Sequence, residues 1–175
     1  HNTIQSLKVA GCARLSRLDC SSNRLSALSV KNCSLLKTLK CNSNQLSTLD
    51  VSGCSLLKEV DCYSNRLTSL DLNACTQLSR LFCERNQLTS LNISGCTTLK
   101  NLSCYYNKLT SLDLTSCTQL SSVFCNDNQL AALDVSKCAL LTQLFCQNNQ
   151  LTTLDLTGCT SLNQLKHDEN VQVIR

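Results

Sequence analysis

Hydrophobic residues recur along this chain in a pattern with a fixed period of 21 residues. Numbered from its opening leucine, each copy carries an apolar residue or a cysteine at sites 1, 4, 6, 11, 14, 16 and 19, and asparagine at site 9. The copy at 36–56 reads LKTLKCNSNQLSTLDVSGCSL, and copies open at residues 15, 36, 57, 78, 99, 120, 141 and 162 without insertion or deletion. Self-similarity at such a period predicts a repeat protein in which each copy forms one coil.

The first part of each copy predicts a short strand. Apolar sites 4 and 6 alternate with variable or polar sites 3, 5 and 7, which is the period of a strand with one buried face. Asparagine at site 9 marks a turn, because its amide can bond backbone groups of its own turn and of the neighbouring coil. Sites 11, 14 and 16 point inward again. The short period leaves no room for a long helix, so we expect extended or 3₁₀ segments on the return side.

One coil cannot bury its leucines alone, whereas stacked coils share a continuous core. We therefore predict an α/β-type repeat solenoid with a parallel β-sheet on its concave face and short 3₁₀ or extended segments on its convex face. The chain forms a single domain over residues 1–175, with a partial repeat at 1–14, full repeats at 15–161 and a terminal repeat or cap at 162–175.

The terminal copy departs from the pattern. His167 replaces the cysteine of site 6, and the fixed spacing places Gln172 at site 11 and Arg175 at site 14. We interpret this polar ending as a last strand followed by a cap. At the other end the chain begins in mid-repeat, so we expect it to be a piece of a longer protein.

The fifteen cysteines form two ladders, at sites 6 and 19, with alternating intervals of 8 and 13 residues. An odd count excludes complete internal pairing, and a zinc site lacks its C-x-x-C or paired histidines. We expect buried thiols that pack as small hydrophobic side chains. A redox-sensing role is the alternative; it requires thiols that react without denaturant, and we expect near-silence.

The string L-x-x-L-x-C-x-x-N-x-L resembles the leucine-rich repeat signature with cysteine in the third apolar place. The 21-residue period and the cysteine ladder are similar to bacterial surface proteins of the internalin-J-like type, and the resemblance extends from Asn2 to about Asn170. It implies a right-handed solenoid and a secreted or cell-surface recognition or adhesion module. Many relatives place another residue at site 19, where this chain has its second cysteine ladder.

The three tyrosines and three phenylalanines all fall on the outward sites of the predicted strand or at its rim. They are Tyr63, Phe82, Tyr105, Tyr106, Phe124 and Phe145. Aromatic residues favour exposed strand positions in any case, but the core needs none of these six, and clustered exposed rings are typical of an interaction site. We predict a partner-binding surface made of these rings, with Arg80, Glu84, Arg85 and Asp127 as its polar rim.

Other chemistry has little support in the sequence. Both histidines lie at the chain ends, away from any nucleophile, and no phosphate-binding loop occurs, so we predict no enzyme and no cofactor. Recurrent aspartates at site 15 are candidate Ca²⁺ ligands, but we favour bonds to their own backbone two residues on. The net charge of +4 comes from scattered residues, which argues against nucleic acid. No signal peptide or membrane-spanning run occurs in the sequence.

These patterns favour a non-enzymatic module of a bacterial surface or secreted protein. We expect it to bind a protein or glycoprotein, such as a host-surface or mucin-like molecule, through the aromatic face. Two alternatives stay open: a structural spacer within a larger surface protein, and a carbohydrate-binding module that uses its rings as stacking platforms.

Overall fold

The computed structural model describes residues 3–175; His1 and Asn2, the latter the first asparagine of the site 9 series, lie outside the described residues. Fourteen strands of three residues each form the regular structure. They are β1 Arg17–Asp19, β2 Ala27–Ser29, β3 Thr38–Lys40, β4 Thr48–Asp50, β5 Glu59–Asp61, β6 Ser69–Asp71, β7 Arg80–Phe82, β8 Ser90–Asn92, β9 Asn101–Ser103, β10 Ser122–Phe124, β11 Gln143–Phe145, β12 Thr153–Asp155, β13 Gln164–Lys166 and β14 Gln172–Ile174.

One strand from each coil joins an eight-stranded parallel sheet in the order β1-β3-β5-β7-β9-β10-β11-β13. The pairing keeps the repeat in register, so that Leu18 lies opposite Leu39 and Val123 opposite Leu144. The parallel sheet and the strand at sites 3 to 5 confirm the sequence prediction. The alternation predicts the strand correctly because the side chains of sites 4 and 6 point into the core while those of sites 3 and 5 face outward.

The return side of each coil differs in detail from the prediction. Three two-stranded parallel ribbons, β2-β4, β6-β8 and β12-β14, supply extended segments. Residues 3–175 contain neither an α-helix nor a 3₁₀ segment, so the α/β class and the 3₁₀ expectation are corrected. Isolated turns occur instead: Cys33 N donates to Val30 O at 3.0 Å and Leu36 N to Cys33 O at 2.9 Å, but Lys37 N turns to Ser16 O of the preceding coil. The bonds that span three residues are therefore isolated, and no 3₁₀ segment forms in this part of the chain.

The inward sites form one continuous core of leucine, valine, isoleucine and cysteine. Fourteen of the fifteen cysteines are buried, and all fifteen are free thiols. Cys12, in the first coil, is exposed, so the expected near-silence of the thiols does not extend to this residue. Burial raises the pKa of the Cys20 thiol to about 11 and that of Cys104 to about 12. Buried thiols with raised pKa values are poor nucleophiles.

The asparagine at site 9 connects each coil to the preceding one by hydrogen bonds. Asn86 Nδ2 donates to Cys83 O of its own coil at 3.1 Å and to Cys62 O of the preceding coil at 3.0 Å. Its Oδ1 accepts from Leu67 N, also in the preceding coil, at 3.0 Å. The same inter-coil pair of bonds recurs at Asn44, Asn65, Asn107, Asn128 and Asn149. The predicted asparagine ladder is therefore confirmed.

The terminal repeat is two residues shorter on this side than the fixed period implies. Strand β14 pairs with β12 so that Val173 lies opposite Leu154, a separation of 19 residues. Val171 is buried and Val173 packs against the core. The fixed spacing therefore stops before this strand, and the shortened turn brings the two valines inward.

The turn before β14 closes the exposed edge of the asparagine ladder. Asp168 Oδ1 accepts from Asn148 N at 2.8 Å and Asp168 Oδ2 from Asn149 N at 3.2 Å. In earlier coils the equivalent N–H groups donate to backbone carbonyls of the next coil, as Asp127 N does to Gln147 O at 3.0 Å. The Asp168 carboxylate thus replaces backbone acceptors for the last asparagine turn.

Candidate interaction surface

The outward side chains at sites 3, 5 and 7 of the eight-stranded sheet form one surface, which we call the sheet face. Because the strands pair in register, side chains of equal site number line up in rows across it. The site 5 row runs along the centre of the face. Its members are Asp19, Lys40, Asp61, Phe82, Ser103, Phe124, Phe145 and Lys166.

Two of the predicted rings form a pair in the centre of this face. Phe124 and Phe145, on adjacent strands, lie with ring centroids 5.0 Å apart and planes inclined by 60°. Lys166 Nζ lies 4.6 Å from the Phe145 centroid, which extends the cluster by a cation–π contact. Phe82 is separated from this pair by strand β9, which carries Ser103 at the equivalent position.

The rim of the sheet face carries a second aromatic group. Tyr105 and Tyr106 form an edge-to-face pair with centroids 5.5 Å apart, and the Arg85 guanidinium lies 5.1 Å from the Tyr106 centroid. Tyr63 occupies the same row as Tyr105, two coils earlier. Asp127 lies next along the rim, where Asn126 Nδ2 donates to it at 2.6 Å and Asn148 Nδ2 at 2.8 Å.

The rim residues share an unusual backbone conformation. Site 8 has a positive φ in seven coils, including 54° at Arg85, 52° at Tyr106 and 55° at Asp127. Aspartate and asparagine tolerate this left-handed region, but for a bulky side chain it is strained. Tyr106 is also 49% exposed, so burial does not offset the strain.

Charged residues occupy the earlier coils of the face. Glu59 pairs with both Lys40 and Arg80 at 3.7 Å, so Arg80 is tied to this carboxylate. Burial, followed by the charge of Glu84, raises the pKa of the Asp61 carboxyl to about 6. Asp61 Oδ1 and Glu84 Oε2 are buried and accept no hydrogen bond.

The sequence placed Lys40, Glu59, Asp61 and Lys166 on outward sites of this surface but did not single them out as binding residues. Their outward site numbers were visible in the sequence, but the contacts that link them to the rings and to each other depend on side-chain geometry. Glu84 and Arg80, which the sequence placed together on the rim, engage different neighbours: Arg80 pairs with Glu59, while Glu84 raises the pKa of Asp61.

The aspartates of site 15 accept hydrogen bonds from their own backbone two residues on, as the sequence pattern favoured. Asp113 Oδ1 accepts from Thr115 N at 2.9 Å, and Asp50, Asp71, Asp134 and Asp155 make the same bond two residues on. Within residues 3–175 no group of three or more His, Cys, Asp or Glu side chains is arranged to hold a metal ion. The same part of the chain has no helix with the length and hydrophobicity needed to cross a membrane.

Parallel sheet, asparagine ladder and 21-residue coils define the class of protein: a leucine-rich repeat solenoid, here with two cysteine ladders. No protein-family model and no curated protein matches the chain. Solved structures do match it. The functional domain of InlJ from Listeria monocytogenes, which includes a cysteine ladder, is 30% identical with a TM-score of 0.64 over 97% of this chain.

Two further bacterial structures superpose more closely. LIC12759, a leucine-rich repeat protein of Leptospira interrogans, is 26% identical with a TM-score of 0.79, and YopM, a leucine-rich effector protein of Yersinia pestis, is 24% identical with a TM-score of 0.77; each alignment covers 91% of this chain. At its identity the YopM match bears on the fold alone. The chain spans less than half the length of these structures: 47% of InlJ, 44% of LIC12759 and 44% of YopM.

Proposed function

We propose that this solenoid is a non-enzymatic recognition module of a bacterial surface or secreted protein, and that its sheet face binds a protein or glycoprotein partner. The observation that carries the proposal is the placement of the aromatic residues. The core cluster contains none of them, and all six lie on the sheet face or its rim. The core is filled without these rings, whereas rings desolvated by a partner are frequent binding hot spots.

The strain at the rim supports the same conclusion. Site 8 accepts Ser, Asn and Asp elsewhere in the chain, yet Arg85 and Tyr106 hold long side chains there at positive φ. Their mutual contact at 5.1 Å presents a cation–π pair to solvent. The turn imposes the positive φ in all seven coils, so what favours a functional role is the choice of long side chains at two of these positions.

Charged side chains on the face offer a partner polar contacts. Lys40 and Arg80 both pair with Glu59 at 3.7 Å, and all three side chains keep part of their surface open to solvent. The charged residues of the earlier coils would then contribute specificity, and the rings of the later coils affinity.

Similarity to InlJ and LIC12759 makes a bacterial surface or secreted setting the working hypothesis for this chain. A structural spacer is the competing function, because repeat solenoids also serve as rigid extensions. The two functions differ in one respect that can be measured. Binding of a partner requires the rings of the sheet face, whereas a spacer does not.

The test is capture of partners from mucus and host-cell surface extract by wild-type protein and by the triple variant Phe82→Ser, Phe124→Ser, Phe145→Ser. A matched control carries Leu35→Ser and Leu140→Ser, which remove two exposed apolar side chains (47% and 50% exposed) outside the sheet face. All three proteins are first compared by circular dichroism and urea unfolding. We expect wild type and control to retain the same partner and the triple variant to lose it.

Equal capture by the triple variant, or no capture by any of the three, would favour the spacer. Unfolding of the triple variant would contradict the assignment of the rings to the surface. A glycan array probed with the same three proteins separates carbohydrate binding from protein binding.

A further inference from the structure

The site 5 row of the sheet face contains a gap of one ring. Along the row, Phe82, Phe124 and Phe145 occupy three of four consecutive strands, and Ser103 on β9 occupies the place between the first two. Ser103 is 4% exposed, so its small side chain lies at the bottom of a notch whose two walls are the rings of Phe82 and Phe124.

The width of the notch follows from the strand spacing. Adjacent strands lie about 4.8 Å apart, so the Cα atoms of Phe82 and Phe124, two strands apart, are separated by about 9.5 Å. Aromatic rings pair with centroids about 4.5–7 Å apart. The neighbouring pair in this row, Phe124 and Phe145, has a spacing of 5.0 Å. A single ring placed over Ser103 would therefore contact both walls at the spacing that the row already uses.

The residues that line the notch disfavour a charged occupant. The volume of the notch is about 300 Å³, and besides the two rings it is lined by Asn101, Leu102, Ser103, Ser122 and Gln143, with Arg80 as the charged member. Asn101 Nδ2 donates to Ser122 Oγ at 2.7 Å, so part of this lining is already fixed by its own hydrogen bond.

Arg80 disfavours a cationic occupant by like-charge repulsion, and two phenyl walls disfavour a carboxylate by desolvation. A volume of this size lies at the lower limit of ligand pockets, which measure about 300–1,000 Å³, and one aromatic side chain fits within it.

We infer that the notch over Ser103 receives one uncharged aromatic side chain of a protein partner, which stacks between Phe82 and Phe124 and completes the interrupted row. The inference rests on the proposed function and names its central contact. A tyrosine fits the lining best, because its ring meets the phenyl walls and its hydroxyl meets the polar ends, where the Arg80 guanidinium and the Gln143 amide are donors.

The experiment is a titration of ¹⁵N-labelled protein with N-acetyl-L-tyrosinamide, followed by amide chemical shifts. N-acetyl-L-leucinamide is the non-aromatic probe, and methyl β-D-glucopyranoside and N-acetyl-D-glucosamine are the sugar probes. We expect the tyrosine amide to shift the signals of Asn101, Ser103 and Ser122, and the other probes to leave them in place.

Ser103→Phe supplies the missing ring from the chain itself and should abolish these shifts while leaving the fold intact. Because that variant fills a tight place, Phe124→Leu provides a second test: it removes one wall and should weaken binding of the tyrosine amide about 2- to 10-fold. Phe145→Leu is the matched control, since this ring lies outside the notch, and its affinity should equal that of wild type.

Shifts at the notch that only the aromatic probe produces, and that Ser103→Phe removes, would support the inference. A response to the sugars in place of the aromatic probe would overturn it in favour of a sugar subsite. Shifts away from Ser103, or none with any probe, would also overturn it. The proposed function is judged separately, because capture of a macromolecule by the sheet face does not depend on any single ring filling this notch.

Discussion

Every coil turns twice, and the two turns use closely related side chains in different ways. At the first turn, the amide of Asn86 bonds to Cys62 O and Leu67 N of the preceding coil and is 9% exposed. At the second, the exposed carboxylate of Asp113 bonds only within its own turn, to Thr115 N and Thr115 Oγ1. The side chain of the first turn joins coils, whereas Asp113 at the second shapes one coil. Elsewhere in the second-turn row, Asp71 and Asp50 also accept a hydrogen bond from a neighbouring coil, from Asn92 Nδ2 at 2.9 Å and from Ser29 Oγ at 3.4 Å.

The difference follows from what each group offers. An amide has two N–H donors and an acceptor oxygen, so it satisfies a carbonyl and an N–H of the neighbouring coil at once without net charge. A row of carboxylates at one strand spacing in a buried place would accept only, and would repel its neighbours. Water screens the row at the second turn, so aspartate is tolerated there. Ser29 and Asn92 also occupy that site, whereas every full coil has asparagine at the first.

The largest effect is expected from Asn86→Ala. The substitution leaves the buried Leu67 N without its acceptor, which costs about 1–3 kcal/mol. It also removes one of two donors from Cys62 O and from Cys83 O, which keep Asn65 Nδ2 and Asn107 Nδ2, and each lost bond costs about 1 kcal/mol. We expect a loss of about 3–5 kcal/mol in the free energy of unfolding, measured by urea denaturation.

Asn86→Asp is the matched variant for this position, because it keeps the shape and the acceptor but loses the donors and adds a buried charge. It should be as destabilising as the alanine variant at neutral pH and recover in acid, where the carboxyl is protonated. A loss as small as that of a surface substitution in both variants would show that the coils hold together without the ladder.

Repetition made the strands, turns and core predictable from the sequence. It did not make the side-chain arrangement of the sheet face equally predictable. Strand, turn and core sites were assigned from the spacing alone, since each coil meets an identical neighbour and one correct coil fixes the rest. In the terminal repeat the departure from the pattern was visible in the sequence but its form was not, since nothing in a fixed period signals that two residues are missing before Val171. The notch over Ser103 also escaped prediction, because a small residue in an outward row has no meaning until its neighbours on both sides are known to be rings.

A pH series distinguishes the two kinds of side chain, since aspartate carboxylates titrate and asparagine amides do not. Burial and Glu84 raise the pKa of Asp61 from 3.8 to about 6, so its contribution to stability is fully present below pH 3.8 and is lost as the pH rises through 6. Hydrogen bonds to Thr115 and Ser136 lower the pKa values of Asp113 and Asp134, so their contribution is present above pH 3.8 and is lost as the pH falls through the lowered values.

We therefore expect the free energy of unfolding, followed by urea titration at each pH, to rise on acidification from pH 7 and to fall again below about pH 4. Asp61→Asn should flatten the upper part of this curve and leave the acid limb unchanged. An unchanged upper part would mean that Asp61 ionises in the fold as easily as in the unfolded chain.

The smallest effect is expected from Asp113→Ala. Its bonds are local and exposed, so water replaces them when the carboxylate is removed, and the neighbouring coils lose no partner. Urea unfolding should place its midpoint within the scatter of ordinary surface substitutions. Asp113→Asn should match wild type at neutral pH, because Asn92 already makes the same turn, with its Oδ1 accepting from Ser94 N at 3.3 Å. If Asp113→Ala were instead as damaging as Asn86→Ala, the second turn would also join coils, and the distinction between the two turns would be wrong.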